Sequence, residues 1–482
     1  MTPTEAIASV PTDLFVAGSW RATARTMPVE NPATGEILTH VADADADEAM
    51  TALDAAATAQ PDWARTPARE RSEILYRAFE LLHAEVDRLA TIMTLEMGKP
   101  LAESKGEIAY AAEFFRWFAE EAVRIDGGHM RAPAGGARFL VSKQPVGPCV
   151  LITPWNFPMA MGTRKIGPAI AAGCTSVIKP AEATPLSTLA LADILQRAGL
   201  PDGVVNVVTT SRAGEVMEPL LLDDRSRKLS FTGSTAVGKK LLAQAAQTVM
   251  RTSMELGGNA PLIVFDDADM DTAIAGTIAA KLRNIGQACT AANRIFVHTS
   301  VAEEFTRRLT EEMAARRMGP GLEEGVTIGP LIDDTAVQKV ASLVRSAADG
   351  GAKVLLGGVP DTGPGHFFPA TVVTDVPAGA ELGSTEIFGP VAAVSTFTDE
   401  DEVIARANAT PHGLVSYVFT ESLRRGLRVS DALEAGMVGL NQGVVSNPAA
   451  PFGGVKESGL GREGGFVGIE EFLDTKYIGI PD

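Results

Sequence analysis

Apolar residues recur at helical spacing over residues 70–98, where Ile74, Leu75, Ala78, Leu81, Leu82, Val86, Leu89, Ile92 and Met93 share one face. That stripe predicts one long amphipathic helix, stopped by Gly98 and Pro100. From residue 146 to about 265 the pattern changes. Short apolar runs (150–152, 176–178, 204–208, 228–231 and 262–265) alternate with helical stretches at 162–172, 186–199 and 235–247. Such alternation predicts a parallel sheet covered on both faces. A second α/β unit follows from about 260 to 445, with strand candidates at 294–297, 353–356, 391–394 and 414–419. Two segments fit neither unit. Residues 127–147 turn at Gly135 and Gly136 and read as a projecting hairpin. The run Lys476–Ile480 reads as a strand without a local partner, an edge of the kind that pairs with another subunit.

With 482 residues the chain exceeds one compact core, which predicts two or three domains. Its three cysteines, Cys149, Cys174 and Cys289, cannot build a disulfide framework and point to a reducing cytoplasm. The first residues lack the basic start and apolar core of a signal peptide, and no apolar run spans a bilayer. A formal net charge of −18 disfavours nucleic acid and anionic membranes as partners. An anionic small substrate would therefore have to be met by local cationic groups.

Only one cysteine sits in a Gly-rich, polar context. Cys289 follows Arg283-Asn-Ile-Gly-Gln-Ala, the end of a loop that another group can approach. Cys149 and Cys174 have apolar or helix-end neighbours and read as packing residues, the usual fate of a free cysteine and the bland alternative for Cys289 too. Glu255 precedes Leu256-Gly257-Gly258 and the apolar strand 262–265. A lone Glu is usually a solvated surface charge; one held against a buried strand has its pKa pushed up, as a general base near neutrality needs. Thiol and carboxylate together supply a nucleophile and a water-activating base.

Gly233 to Gly238 follows a strand and opens a helix, so its backbone amides can face a phosphate. The run nearly completes a nucleotide triphosphate loop, but Lys240 stands where Ser or Thr would hold Mg²⁺. A dinucleotide pyrophosphate, which needs no metal, fits better. Asp43, Asp45 and Asp47 imitate a calcium loop, yet Glu48 occupies its glycine position; they read instead as a helix start. The six histidines are scattered, and no metal site is expected.

Seven short runs, in this order, resemble the aldehyde dehydrogenase superfamily along essentially the full length: Pro154-Trp-Asn-Phe-Pro, Ile178-Lys-Pro-Ala-Glu, Phe231-Thr-Gly-Ser, Met254-Glu-Leu-Gly-Gly-Asn-Ala-Pro, Gly286-Gln-Ala-Cys, Glu386-Ile-Phe-Gly-Pro and Pro451-Phe-Gly-Gly-Val-Lys-Glu-Ser-Gly. The resemblance implies an α/β fold with a Rossmann-like NAD-binding domain (1–126 and 148–257), an α/β catalytic domain (258–445) and a small β oligomerisation domain (127–147 and 468–482). Residues 446–467 would form a loop returning to the cofactor side. It implies a thiohemiacetal and then a thioacyl enzyme on Cys289, an oxyanion held by Asn156 and the N–H of residue 289, and water activated by Glu255. Thr153, Pro154, Trp155, Lys179, Glu182, Thr232, Gly233, Ser234, Gly238, Leu256, Glu386 and Phe388 would hold the cofactor. Lys179 would bind the adenosine ribose and Glu386 the nicotinamide ribose.

The runs Gly162-Thr-Arg-Lys-Ile-Gly-Pro-Ala, Thr327-Ile-Gly-Pro-Leu-Ile-Asp and Gly461-Arg-Glu-Gly are similar to the subgroup that oxidises succinate semialdehyde. That likeness implies that Arg164, Arg283 and Ser446 clamp a distal carboxylate. Glutarate semialdehyde, glycolaldehyde and lactaldehyde are the alternative substrates; a CoA-acylating reaction fits less well, because it has no need of Glu255. Ala291 stands where some relatives carry a second, redox-active cysteine. A carboxylate at Glu182 repels a 2′-phosphate, which favours NAD with NADP still possible. The resemblance also implies a homo-oligomer, a dimer or tetramer.

Overall fold

The computed structural model describes residues 2–377 and 379–482. Five parallel strands form the centre of its first sheet: β1 (Cys149–Ile152), β2 (Ser176–Lys179), β3 (Val205–Val207), β4 (Lys228–Thr232) and β5 (Arg251–Glu255). Their spatial order is β3-β2-β1-β4-β5, extended by antiparallel strands Leu14–Val16 beside β3 and Gly459–Leu460 beside β5. Both faces are covered. Cys149 and Leu151 of β1 enter one apolar cluster, whereas Val150 and Ile152 enter another. This is why the strand shows no polar alternation. From β1 the chain winds outward through β2 to β3, then returns to β4 on the other side. The order therefore reverses between β1 and β4, the place where open α/β sheets leave a ligand crevice.

The region predicted as one helix over 70–98 is two, α1 (Ala68–Ala84) and α2 (Val86–Met97), broken at Glu85 (φ −110°, ψ 17°). Each half keeps a 3.6-residue apolar stripe, so the break leaves the periodicity intact. Gly98 ends α2 in the left-handed region at φ 93°, as the sequence predicts. Helix α3 (Leu101–Ala122) follows and packs on α1 and on α4 (Pro158–Ala172), which connects β1 to β2. Helix α5 (Pro185–Arg197) leads from β2 to β3, and α6 (Thr235–Ala245) from β4 to β5. Asp45 caps a further helix, Ala46–Arg65, in a reciprocal box with Glu48, the role expected for that acidic run.

The second sheet runs Lys353–Leu356, Thr371–Thr374, Val391–Phe397, β7 (Ala292–His298), β6 (Ala260–Val264), Val415–Phe419, Met437–Leu440. All its pairs are parallel except the first. Helix α7 (Met270–Leu282) connects β6 toward β7. The third sheet corrects an expectation. Strand Leu473–Pro481 does have a partner within the chain: it pairs antiparallel with Ala137–Pro145, from Leu473↔Pro145 to Pro481↔Ala137. That strand also pairs with Gly128–Arg131, completing the predicted hairpin. The partner lies more than 300 residues away in sequence, beyond the reach of any local pattern.

Candidate active site

The crevice at the β1–β4 reversal has the chemistry of a dinucleotide site. Thr153, just after β1, and Thr232, ending β4, flank it with buried hydroxyls that have no hydrogen-bond partner. Lys179 ends β2, buried, with its Nζ 2.8 Å from Glu182. Of the helices that directly follow β1, β2 and β4, the first two have their N-termini already occupied by carboxylates. Glu96 accepts the N–H groups of Leu186 and Ser187, both at 2.8 Å, at the start of α5. Burial lifts the Glu96 carboxyl to about 7, against the pull of Ser187 and Leu186. Glu107 accepts the N–H groups of Met159 and Ala160 at 3.0 and 3.2 Å, at the start of α4. Helix α6, behind Thr232 and Gly233, has no carboxylate on its first turn among the described residues, only Ser234 Oγ accepting the Val237 N–H. A Cβ at Gly238 would stand 2.4 Å from Leu256, so glycine lets α6 close onto β5. Open amides, orphaned hydroxyls and a lysine fit a pyrophosphate and ribose.

Cys289 lies on the loop between α7 and β7, after a turn in which Asn284 (φ 54°) and Ile285 (φ 60°) are both left-handed. For a β-branched residue this is a strained backbone. The strain turns the Gln287 carbonyl toward Asn156, whose Nδ2 donates to it at 3.0 Å. Close packing fixes the loop on its other sides: Cβ atoms would stand 2.2 Å from the Gly389 carbonyl at Gly286, and 2.4 Å from the Cys289 carbonyl at Gly258. Cys289 keeps part of its surface open. Its sulfur nevertheless lies deep enough that burial, followed by the Glu386 and Glu255 carboxylates, pushes the thiol up to about 12, with Arg164 opposing. The thiol rests protonated and needs a base and oxyanion donors to react.

Glu255 ends β5 with its Oε2 buried and unpartnered. Burial, then the charge of Glu463, raises its proton affinity well above the usual carboxylate range, while Arg164, Lys165 and Arg462 oppose. Glu463 behaves oppositely. Burial would raise it too, but Lys165, 2.6 Å away, and Arg164 at 3.5 Å outweigh burial and hold it below the usual range. Glu386 accepts the Gly258 N–H at 3.0 Å, and burial lifts its carboxyl to about 7. Beside it, Phe388 (φ 58°) meets the Trp155 ring edge-on at 5.5 Å, joining the second sheet to the loop after β1.

The two arginines differ. Arg164 is buried, stacked 4.2 Å over Phe452, paired with Glu463 and hydrogen-bonded to Tyr110, with its Nε unpartnered. Arg283 stacks over Phe157 at 4.9 Å and, among the described residues, has no carboxylate within ion-pair distance. The Tyr110 ring sits between them, 5.8 Å from each guanidinium. Ser446 stands half-buried on the coil after Met437–Leu440, its hydroxyl without a hydrogen-bond partner among the described residues. Among the described residues no cluster of His, Cys, Asp and Glu can hold a metal ion, and no helix is long and apolar enough to cross a membrane.

A profile of the Aldehyde dehydrogenase family matches residues 20–478. The chain belongs to the aldehyde dehydrogenase family. The succinate-semialdehyde dehydrogenase of Paenarthrobacter nicotinovorans is 54% identical over 446 residues, covering 92% of this chain and 99% of that protein. The glutarate-semialdehyde dehydrogenase of Pseudomonas aeruginosa is 51% identical over 466 residues, covering 96% of each. The crystal structure of an Escherichia coli NADP dependent enzyme matches with a TM-score of 0.97 at 49% identity, covering 98% of each chain. The fold is thus the aldehyde dehydrogenase fold, as the motifs imply. Around its thiol, this aldehyde dehydrogenase buries charged residues that sequence reading left aside: Lys99, Glu107, Lys165 and Glu463. Lone charges read as surface residues. The four-residue spacing of Glu103 and Glu107, one helical face, was the available signal.

Proposed function

We propose that the protein oxidises succinate semialdehyde to succinate: aldehyde, NAD(P)⁺ and water give carboxylate, NAD(P)H and two protons. The observation that carries this reading is Arg283, a guanidinium without a carboxylate partner among the described residues, six residues before the thiol in sequence and stacked on Phe157. A planar fork of donors held without a counter-ion suits a substrate carboxylate. Arg164 and Ser446 complete the clamp in this reading. Close relationship to enzymes named for succinate and glutarate semialdehyde supports the same substrate class.

In the first half-reaction the Cys289 sulfur bonds to the aldehyde carbon, and the thiol proton passes to solvent. The carbonyl oxygen becomes an anion held by the free N–H of the Asn156 side chain and the Cys289 backbone N–H. Removing one such donor costs about 2.7–4 kcal/mol of transition-state stabilisation. When bound, the nicotinamide supplies the hydride acceptor. In the second half Glu255 takes a proton from water; the hydroxide adds to the thioester carbon, and the sulfur leaves as succinate forms.

Thr153, Pro154, Trp155, Lys179, Thr232, Gly233, Ser234, Gly238 and Leu256 would line the dinucleotide, with Glu386 and Phe388 at its nicotinamide end. The Lys179–Glu182 pair favours NAD over NADP, because it neutralises the cation that a 2′-phosphate would seek. In this reading the segments 1–126 and 148–257 carry the cofactor, 258–445 the nucleophile, and 446–467 a loop back to the cofactor side. The third sheet, with 127–147 and 468–482, would join subunits of a cytoplasmic dimer or tetramer. Exposed Met130, Tyr477 and Ile478 on that sheet support this. Absorbance at the NADH band with an aldehyde panel, run with NAD and with NADP, tests the reading. A kcat/KM for glutarate semialdehyde or uncharged butanal equal to that for succinate semialdehyde overturns it.

A further inference from the structure

Beneath the thiol loop, the start of α3 carries a buried charged platform. Lys99 forms an ion pair with Glu107, donates to the Asn156 carbonyl at 2.8 Å, and lies 4.2 Å over the Phe157 ring. Glu107 in turn holds the first N–H groups of α4, directly after Asn156 and Phe157. One turn earlier, Glu103 accepts the Asn284 N–H at 2.6 Å. Asn284 closes the arrangement: its Nδ2 lies 2.9 Å from both the Asn156 and the Gln287 carbonyls. Two donors therefore converge on the Asn156 carbonyl, and two on the Gln287 carbonyl, one of them the Asn156 side chain itself. A side-chain amide has two N–H groups. With one committed to Gln287, the plane of the Asn156 amide is fixed and the other N–H is left for the substrate oxygen.

We propose that Asn284, Lys99 and Glu107 are positioning residues for carbonyl activation, holding the Asn156 amide in one frame with the Cys289 loop. The inference rests on the oxyanion role of Asn156 above and assigns these three no contact with substrate. Breaking a buried ion pair from one side leaves an uncompensated charge, so Lys99 and Glu107 are tested together, as Lys99→Gln with Glu107→Gln. Asn284→Gly is the second variant, because glycine accepts φ 54° and removes only the side-chain donors. Both half-reactions pass through an oxyanion, so kcat is the quantity to read. Alkylation of Cys289 by iodoacetamide forms a C–S bond and releases iodide without any oxyanion, and therefore reports whether the thiol loop itself is intact.

Each variant, measured with NAD and succinate semialdehyde, is expected to lose roughly 10- to 100-fold in kcat, with KM and the alkylation rate within about threefold of the parent. In an Asn156→Ala background the same changes should cost almost nothing more, since residues acting through one group are non-additive. Full additivity in that background, or alkylation falling in parallel with kcat, overturns the positioning role while leaving the oxyanion reading in place. Parental turnover by Asn156→Ala alone overturns both.

Discussion

Glu255 and Glu463 share one buried pocket, and that pocket drives their proton affinities apart. Lys165 and Arg164 keep Glu463 anionic; its charge adds to burial in making Glu255 hold its proton. Turnover that needs the Glu255 carboxylate therefore rises with pH, along a limb set above the usual carboxylate range. Glu463→Gln removes the repelling charge and frees Lys165 and Arg164 to act on Glu255, so the ascending limb of the pH–rate profile should move to lower pH, by roughly one unit. A limb that stays in place, or moves up, contradicts the coupling.

The same group links activity to stability. Folded Glu255 binds its proton more tightly than the unfolded chain does, so its contribution favours the fold at low pH and is lost as pH rises through the raised folded value. Glu255→Gln abolishes that dependence. Its Tm should match the parent at about pH 4, below the ordinary glutamate value, and exceed it at alkaline pH, on the order of 2 °C, while steady-state turnover collapses and the thioacyl enzyme still forms. Thermal unfolding at the two pH values and a single-turnover burst check both halves.

Arg283→Ala should discriminate between substrates rather than damage the chemistry. Hydrogen bonds to a charged group contribute about 1.5–3 kcal/mol, which corresponds to roughly 10- to 100-fold in kcat/KM on succinate semialdehyde. Butanal, which has no carboxylate, should be affected by less than about threefold. Equal losses on both aldehydes would show that Arg283 supports the loop and not the substrate.

Glu182→Ser addresses cofactor choice. Removing the carboxylate frees the Lys179 ammonium, now 2.8 Å from it, for a 2′-phosphate. The ratio of kcat/KM for NADP to that for NAD should rise, by about tenfold. An unchanged ratio places the discrimination elsewhere in the crevice.

Much of this was legible in the chain. The βα alternation from 146 to 265 reads correctly because strands buried on both faces leave an unbroken apolar signature. Around the thiol and the carboxylate, glycines mark where backbones must approach closely, as at Gly258 against Cys289. The break at Glu85 did not show, because the apolar stripe stays in phase across it. The partner of Leu473–Pro481 did not show because its register is set by a hairpin far away in sequence. The buried ions were the least legible. Nothing local distinguishes Glu107, holding a helix start, from Glu113, exposed enough to pair with Arg116 at the surface one and a half turns later. Nor does local sequence reveal that, among the described residues, Arg164 has a carboxylate partner and Arg283 has none.

The carboxyls of Glu96 and Glu107, resting on the first amides of α5 and α4, carry a lesson for redesign. Two helix starts are satisfied from within, and in the proposed reading the phosphate falls to the third, α6, by subtraction. A glycine-rich dinucleotide loop transplanted behind β1 would meet a dipole already neutralised, however faithful its sequence. Relocating the cofactor would begin with removing Glu96 or Glu107, not with adding glycines at the rim.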